Sequence, residues 1–145
     1  LEYLETAGVP VIGYQTTEFP AFYSRTSGLS LTLSLDTTSD IAAFIHEKRR
    51  MNLSGGTIIA NPIPVQFEII REKIEPAIEQ AISEDVRAGV SGKELTPFLL
   101  KQMNSITGGK SQMANKELVL HNAKVAAKIA VDLVAIRKEH TFIAL

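Results

Sequence analysis

The chain has 145 residues, 45% of them hydrophobic and 21% charged, with a formal net charge of −1, as is typical of a folded globular domain. Its 15 basic and 16 acidic residues argue against a nucleic-acid-binding protein, and the absence of cysteine excludes disulfides and thiolate catalysis. No apolar run approaches the roughly 18 residues that a membrane helix needs. A cysteine-free chain without a signal-peptide pattern at its start fits a cytoplasmic location, or an organellar one in a eukaryote.

The first third of the chain predicts the end of a helix followed by two strands. The opening residues LEYLETAG predict the last turns of a helix that begins upstream. The apolar run Val9–Tyr14 and the alternating segment Ser30–Leu35 predict strands. Between them, Gln15–Gly28 predicts a long ordered loop, and such loops are often functional.

A helix and a third strand come next. The segment DTTSD offers several N-cap residues ahead of the helical run Ile41–Arg50. The basic cluster Lys48–Arg50 is predicted to complement the helix dipole at the end of that helix. Thr57–Asn61 is apolar on both faces and predicts a strand of a covered parallel sheet. Strand, helix and strand in this order predict a βαβ unit.

The second half predicts three helices. A face of isoleucines four residues apart marks the first of them: Ile70, Ile74, Ile78 and Ile82. Pro76 leaves two alternatives, a helix that starts near Glu75 or a helix that is kinked at the proline. Gly89 is predicted to end this helix.

The next helix is predicted to begin with Thr96 as its N-cap and Pro97 in its first turn, and to end at Gly108-Gly109. Ser111 is predicted to cap a long last helix. The apolar positions of that helix include Leu118, Val125, Ile129 and Leu133. The element order predicts an α/β fold, an α/β/α sandwich with a mixed sheet of which this chain forms a part.

Two asparagines are candidate ligand-binding residues. Asn61 ends a strand, follows Gly55-Gly56 and precedes two prolines. Ligands of open α/β sheets bind at the carboxyl ends of strands, and an amide can both donate and accept hydrogen bonds. An Asx-type turn ahead of Pro62 is an equal alternative. Asn115 lies in the first turn of the last helix, where its amide could face a bound group.

Other motifs predict no specific chemistry. TGGKS (Thr107–Ser111) lacks the first glycine of a phosphate-binding loop and follows a helix, so it predicts either a helix–helix turn or an anion-binding helix terminus. His46, His121 and His140 have no metal-ligand spacing and are predicted to be helix-surface residues. No carboxylate pair is identifiable as a general acid and base.

Five long motifs resemble one enzyme family. They are LEYLETAGVPVIGYQTTEFPAFYSRTSG, NLSGGTIIANPIP, GKELTPFLL, TGGKSQMAN and HNAKVAAKIA. Together they are similar to the pseudouridine-5'-phosphate glycosidase family, also called indigoidine-synthase-A-like, from Leu1 to about Leu133. The resemblance covers only the carboxyl-terminal half of the family, so residues 1–145 are expected to form the second half of a single domain.

The resemblance implies reversible cleavage of the C–C glycosidic bond of pseudouridine 5'-phosphate, which gives uracil and ribose 5-phosphate. It also implies a lysine that forms an imine with the ring-opened sugar, a glutamate acid/base, Mn2+ and a homotrimer. An iminium supplies the electron sink that a C–C bond otherwise lacks. The catalytic lysine, the glutamate and the metal-binding aspartate are expected upstream of Leu1, so no catalytic or metal residue is assigned here.

The family asparagine that is expected to hold the substrate matches Asn115, and Asn61 is predicted to line the pocket. The chain alone is expected to be inactive, and an amino-terminal half on another chain would complete it. The alternatives are a non-catalytic binding or assembly module of the same fold, and a family member that acts on a different C-glycoside. No nucleic-acid or membrane partner is expected.

Overall fold

The computed structural model describes the backbone of residues 1–88 and 95–143, and the side chains of residues 1–76, 78–80 and 97–138. The elements run in the order α1 (Glu2–Thr6), β1 (Val11–Tyr14), β2 (Leu33–Leu35), α2 (Thr38–Arg50), β3 (Ile58–Ala60), a 3-10 turn (Val65–Phe67), α3 (Arg71–Ala88), α4 (Leu95–Ile106) and α5 (Lys110–Ile143). The predicted α/β class is confirmed. The predicted helix end at Gly89 lies outside the described residues.

The sheet has three parallel strands in the order β2-β1-β3. Ile12 in the central strand pairs with Leu33 on one side and with Ile59 on the other, and its side chain is fully buried. The helix α2 therefore connects two strands that flank β1, as the predicted βαβ unit requires. Antiparallel pairing occurs as two isolated bridges, Glu18 with Ser30 and Ala21 with Ser24. Each strand is shorter than predicted because its ends turn away into loops.

The helix α2 begins and ends as its sequence predicts. Thr37 is the residue that caps it, since its hydroxyl oxygen accepts the amide hydrogen of Asp40 at 3.0 Å. Ile41 and Ala42 are fully buried against the sheet side of the core. The basic cluster lies in the last turn, as predicted. Lys48 Nζ donates to the carbonyl oxygens of Gly55 and Gly56 at 3.1 and 2.6 Å, which fastens the helix end to the turn before β3.

The helix α3 settles the alternatives that Pro76 left open. It begins at Arg71, five residues before the proline, so the helix does not start near Glu75 and Pro76 lies inside it. Of the predicted apolar face, Ile74 is buried, whereas Ile70 and Ile78 are 46% and 37% exposed. The side chain of Ile82 lies outside the described residues. One residue of that face therefore anchors α3 to the core in this part of the chain.

The helices α4 and α5 each begin two residues before the predicted first helical residue. The helix α4 begins at Leu95, so Thr96 lies in its first turn and is not the N-cap. The helix α5 begins at Lys110, so Ser111 lies inside it and does not cap it. Helix termini shift by a residue or two with small changes of backbone angle, so spacing alone cannot fix them.

Two clusters of buried side chains share the long helix α5. The first joins the sheet and α2 to α5: Ile12, Ile41, Ala42, Val125 and Ile129. The second joins the long loop and the helices to α5: Tyr23, Ile63, Ile74, Met103, Ala114 and Leu118. The predicted buried positions Leu118, Val125 and Ile129 are confirmed, and Leu133 packs beside the first cluster. The candidate site lies against the second cluster.

The helix α5 also carries apolar side chains on the side turned away from these clusters. Met113, Leu120, Val131 and Val134 are 55%, 43%, 68% and 52% exposed. Their spacing of seven, eleven and three residues keeps them on one side of a helix with 3.6 residues per turn. The helix is therefore apolar on two sides within the described residues, and one of these sides faces solvent.

Candidate functional site

A cavity of about 350 Å³ opens where the long loop meets the turn between α4 and α5. Its lining residues come from three separate segments: Tyr23, Leu100, Lys101, Asn104, Ser111, Gln112 and Asn115. The sequence-predicted residue Asn115 is therefore a cavity residue. Of the other lining residues, only Ser111 was singled out by the sequence, and then as a helix cap.

The turn between the two helices has a defined geometry that shapes the cavity. Gly108 and Gly109 adopt φ angles of +58° and +86°, which glycine reaches without the strain that a Cβ atom brings. The amide of Gly109 donates to the carbonyl of Asn104 at 2.9 Å, and that of Gly108 donates to Ser105 at 3.3 Å. This pair of bonds is a Schellman motif, which ends α4 and turns the chain directly into α5.

Thr107 joins the two helices within this turn. Its hydroxyl donates to the carbonyl of Met103 at 2.7 Å and accepts the amide hydrogen of Ser111 at 3.1 Å. The amides of Lys110 and Met113 are also bonded, to Thr107 and Gly109. Because these first-turn amides already have backbone or hydroxyl partners, the geometry favours the helix–helix turn over the anion-binding terminus.

Two polar atoms in the cavity wall are buried and have no hydrogen-bond partner. They are Oδ1 of Asn104 and Oγ of Ser111. The whole of Ser111 is only 1% exposed. An unsatisfied buried polar atom costs about 1–3 kcal/mol, so most proteins pair such atoms unless the site has another use.

Tyr23 forms the wall contributed by the long loop. It is 5% exposed, and its ring meets that of Phe22 edge-on with the centroids 4.6 Å apart. Burial raises the pKa of the Tyr23 hydroxyl, and the nearby Ser111 hydroxyl lowers it by a smaller amount. The Ser111 hydroxyl lies close enough to Tyr23 to lower that pKa, but its Oγ makes no hydrogen bond of good geometry. The tyrosine is neutral at physiological pH and can donate a hydrogen bond.

The loop that carries Tyr23 is held in place by two carboxylates. Glu68 accepts the amide hydrogen of Arg25 at 2.8 Å and the hydroxyl hydrogen of Ser24 at 3.3 Å. Glu18 accepts the amide hydrogens of Ser27 and Gly28 at 3.1 and 2.8 Å. These bonds close the loop onto itself and onto the segment before α3. The prediction of an ordered loop at Gln15–Gly28 is therefore confirmed.

Asn61 lies elsewhere on the same long helix. Its Nδ2 donates to Asn122 Oδ1 at 2.8 Å and is 3.2 Å from His121 Nδ1, while its own Oδ1 is buried and has no partner. The Asx-turn interpretation is wrong, because that turn would engage Oδ1. Asn122 follows Asn115 by seven residues, which is about 10 Å along a helix. Asn61 does not line the cavity that contains Asn115.

A second polar cavity, of about 380 Å³, lies at the carboxyl ends of β1 and β2. It is lined by residues that include Gln15, Thr16, Arg25, Ser34 and Asp36. Arg25 Nη1 donates to the carbonyl of Ile63 at 2.6 Å, and Gln15 Nε2 donates to that of Asp36 at 3.0 Å. Because these polar groups already bond to the backbone, this cavity is a weaker candidate site than the one beside Asn115.

The described residues present no group of three or more His, Asp or Glu side chains that could hold a metal ion. Within the same residues, no helix is long and apolar enough to cross a membrane. His121, predicted to be a helix-surface residue, is half-buried on α5, and its Nδ1 lies 3.2 Å from Asn61 Nδ2. The side chain of His140 lies outside the described part of the chain.

The fold and the cavity define an α/β protein with a polar, partly unsatisfied pocket at a helix–helix turn. Residues 1–132 match the family model described as indigoidine synthase A like protein, and the chain belongs to that family. The resemblance drawn from the sequence motifs is thus confirmed.

Curated relatives carry a common name. The chain is 53% identical over 139 residues to a pseudouridine-5'-phosphate glycosidase of Caldanaerobacter subterraneus subsp. tengcongensis, covering 96% of this chain and 45% of the relative. It is 46% identical over 132 residues to a protein of the same name from Brachyspira hyodysenteriae, covering 91% and 43%. The chain therefore spans less than half the length of these relatives.

Solved structures share the fold. A prealnumycin C-glycosynthase in complex with ribulose 5-phosphate superposes with a TM-score of 0.83 at 31% identity, covering 95% of this chain and 45% of the other. An indigoidine synthase A-like protein from Thermotoga maritima superposes with a TM-score of 0.80 at 36% identity, covering 91% and 43%. In both solved structures, the strands and helices that match this chain make up less than half of a longer chain.

Proposed function

We propose that this chain supplies one half of a pseudouridine-5'-phosphate glycosidase, which reversibly cleaves the C–C glycosidic bond of its substrate to uracil and ribose 5-phosphate. The observation that carries the proposal is the position of Asn115 in a pocket with unsatisfied polar atoms, in a chain 53% identical to an enzyme of that name. In this scheme the pocket beside Asn115 holds part of the substrate.

The residues of this chain bind and orient, and the remainder of the domain performs the covalent chemistry. The Asn115 amide both donates and accepts, so it can fix the orientation of a polar substrate group. Tyr23 and Leu100 exclude water from one side of the pocket. The imine-forming lysine and the acid/base glutamate that the family resemblance implies come from the part of the domain that this chain does not include.

The Mn2+ implied by the resemblance is assigned to that other part as well. The described residues do not offer a fitting set of ligands, because no three potential ligands converge among them. No step is therefore routed through the metal by residues of this chain. We expect a chelator to abolish the activity of the completed enzyme and to leave the melting temperature of this chain unchanged.

The assembly proposed with this function is a cytoplasmic homotrimer of the completed domain. The support is the family resemblance, the cysteine-free composition and the exposed apolar side of α5, which a larger architecture would cover. The missing half belongs either to the same polypeptide or to a second chain. Intact mass measurement of the purified protein separates these two arrangements.

A chimera tests the proposal directly. The segment of the Caldanaerobacter relative that matches this chain is replaced by the chain itself, which the 53% identity over 139 residues makes practicable. We expect the chimera to release uracil from pseudouridine 5'-phosphate and the chain alone to release none. Chromatography measures the uracil released. A chimera that folds with a cooperative melting transition but stays silent would favour the non-catalytic binding or assembly module.

A different C-glycoside is the second candidate substrate. The observation that favours it is the TM-score of 0.83 with a C-glycosynthase. The identity to that protein is 31%, against 53% to the glycosidase, so pseudouridine 5'-phosphate is the first choice. If a folded chimera consumes ribose 5-phosphate with another planar acceptor but not with uracil, the other C-glycoside becomes the first-choice substrate.

A further inference from the structure

The unsatisfied atoms of the pocket wall form a matched pair. Asn104 Oδ1 can only accept a hydrogen bond, whereas Ser111 Oγ can donate one. Asn104 stands near the end of α4 and Ser111 in the first turn of α5. The Gly108-Gly109 turn places the two residues on the same cavity, and a Cβ atom added to Gly109 would lie 4.0 Å from Asn104 Oδ1.

Neither atom makes a hydrogen bond in the free protein. The Thr107 hydroxyl already caps the turn, and the backbone of Ser111 is bonded to it. The Asn104 carbonyl, not its side chain, accepts the Gly109 amide. The two side-chain atoms are therefore not needed to build the turn. A buried group without a structural partner is a candidate for a ligand partner.

A planar base with adjacent N–H and C=O groups satisfies both atoms at once. Its N–H donates to Asn104 Oδ1, and its carbonyl accepts from the Ser111 hydroxyl. The Tyr23 ring and Leu100 add an apolar wall on which a flat ring can lie. Uracil, a product of the proposed reaction, has this donor–acceptor edge twice, on either side of its N3 position.

We propose that Asn104 and Ser111 read the N–H and C=O edge of the pyrimidine base, and so determine which base this pocket accepts. This inference rests on the proposed function and goes beyond it, because it assigns base discrimination to two residues for which the sequence analysis predicted no role in binding. Asn115, in the same pocket, is then free to contact another group of the substrate.

Binding to the chain itself is the first test. The side-chain amide resonances of 15N-labelled chain are followed during titration with uracil, and the Asn104 signals are identified by their absence in Asn104→Leu. We expect uracil to shift these signals, and 1,3-dimethyluracil, which lacks N–H donors, to bind at least about 10-fold more weakly. Equal shifts with both compounds, or none with uracil, would overturn the inference.

Kinetics in the chimera separate this inference from the proposed function. In the synthetic direction, Asn104→Leu and Ser111→Ala should each raise the KM for uracil about 10-fold or more. The KM for ribose 5-phosphate should stay unchanged. A parent chimera without activity contradicts the proposed function, whereas an active one whose variants keep the parental KM for uracil contradicts only the base-reading role.

The melting temperature of the Ser111→Ala variant distinguishes a ligand-binding role of this hydroxyl from a structural one, because the two roles predict changes in opposite directions. Ser111→Ala removes an unsatisfied buried hydroxyl, so the melting temperature of the chain should stay the same or rise. Ser105→Ala, an exposed position on α4, is the matched control and should change neither stability nor uracil binding. A clear fall in the melting temperature for Ser111→Ala would show that the hydroxyl supports the fold, and would overturn its assignment.

Discussion

Replacing Asn61 with alanine should cost stability and leave substrate turnover intact. Asn61 Nδ2 makes contacts of 2.8 Å with Asn122 Oδ1 and 3.2 Å with His121 Nδ1, which tie the end of β3 to α5. At about 1 kcal/mol each, their loss costs about 2 kcal/mol. Removal of the unsatisfied Oδ1 gives back about 1 kcal/mol, so the net destabilisation is about 1 kcal/mol.

Urea unfolding of the chain measures this difference. With a denaturant slope of about 2 kcal/mol per molar urea, the midpoint should fall by about 0.5 M. Asn122→Ala removes one of the two contacts at an exposed residue and should lower the midpoint by less. An unchanged midpoint in Asn61→Ala, together with a loss of kcat/KM in the chimera, would refute the structural role and support substrate contact by Asn61.

Three further predictions concern other parts of the molecule. Asn115→Ala in the chimera should lower kcat/KM by about 2 kcal/mol, or about 30-fold, if its amide bonds to substrate, and unchanged uracil release would exclude that role. Gly13→Ala should destabilise the chain by more than about 3 kcal/mol, because the new Cβ would lie 2.0 Å from the Thr16 carbonyl oxygen; Gly56→Ala meets nothing within 4 Å and is the control, so equal melting temperatures would contradict this. Burial raises the pKa of the Tyr23 hydroxyl above its ordinary value of 10.0, so the folded form keeps its proton to a higher pH than the unfolded form does. This contribution to stability is complete below pH 10 and is lost as the pH rises through the folded pKa. Tyr23→Phe should therefore lose less stability than the parent between pH 9 and pH 11 in urea titrations, and parallel curves would count against this prediction.

The hydrophobic periodicity of the sequence predicted which helices and strands form better than it predicted where they begin and end. The strands, the ordered loop, α2 and the buried positions of α5 follow from local pattern, because side chains that share a face must share an environment. The start of α3 did not follow, since Pro76 reads equally well as a first-turn residue and as an interior one. The predicted N-caps of α4 and α5 lie two residues too far along the chain. At the start of α5 the reason is that the Schellman turn and the Thr107 hydroxyl, not Ser111, bond the first backbone groups.

The site was predictable only in part. Asn115 could be placed because a long family motif contains it. Tyr23 and Asn104 lie 81 positions apart in the printed sequence and meet only because the loop folds back over the α4–α5 turn. No local spacing encodes such a meeting. The one signal available in advance was the length of the Gln15–Gly28 loop, which marked the segment but not the residue that matters within it.

The exposed apolar side of α5 offers a way to find out whether another part of an assembly covers it, because the effect of a lysine substitution there depends on whether the site is buried. A lysine at Val131 or Leu120 would extend into water in the isolated chain and should leave its melting temperature unchanged, since these side chains are 68% and 43% exposed. The same lysine within a larger assembly that covers this side would bury an unpaired charge and should be strongly destabilising. A lysine scan along one helix, performed in the chain and again in the chimera, would thus map which turns of α5 are inner surface and which are outer.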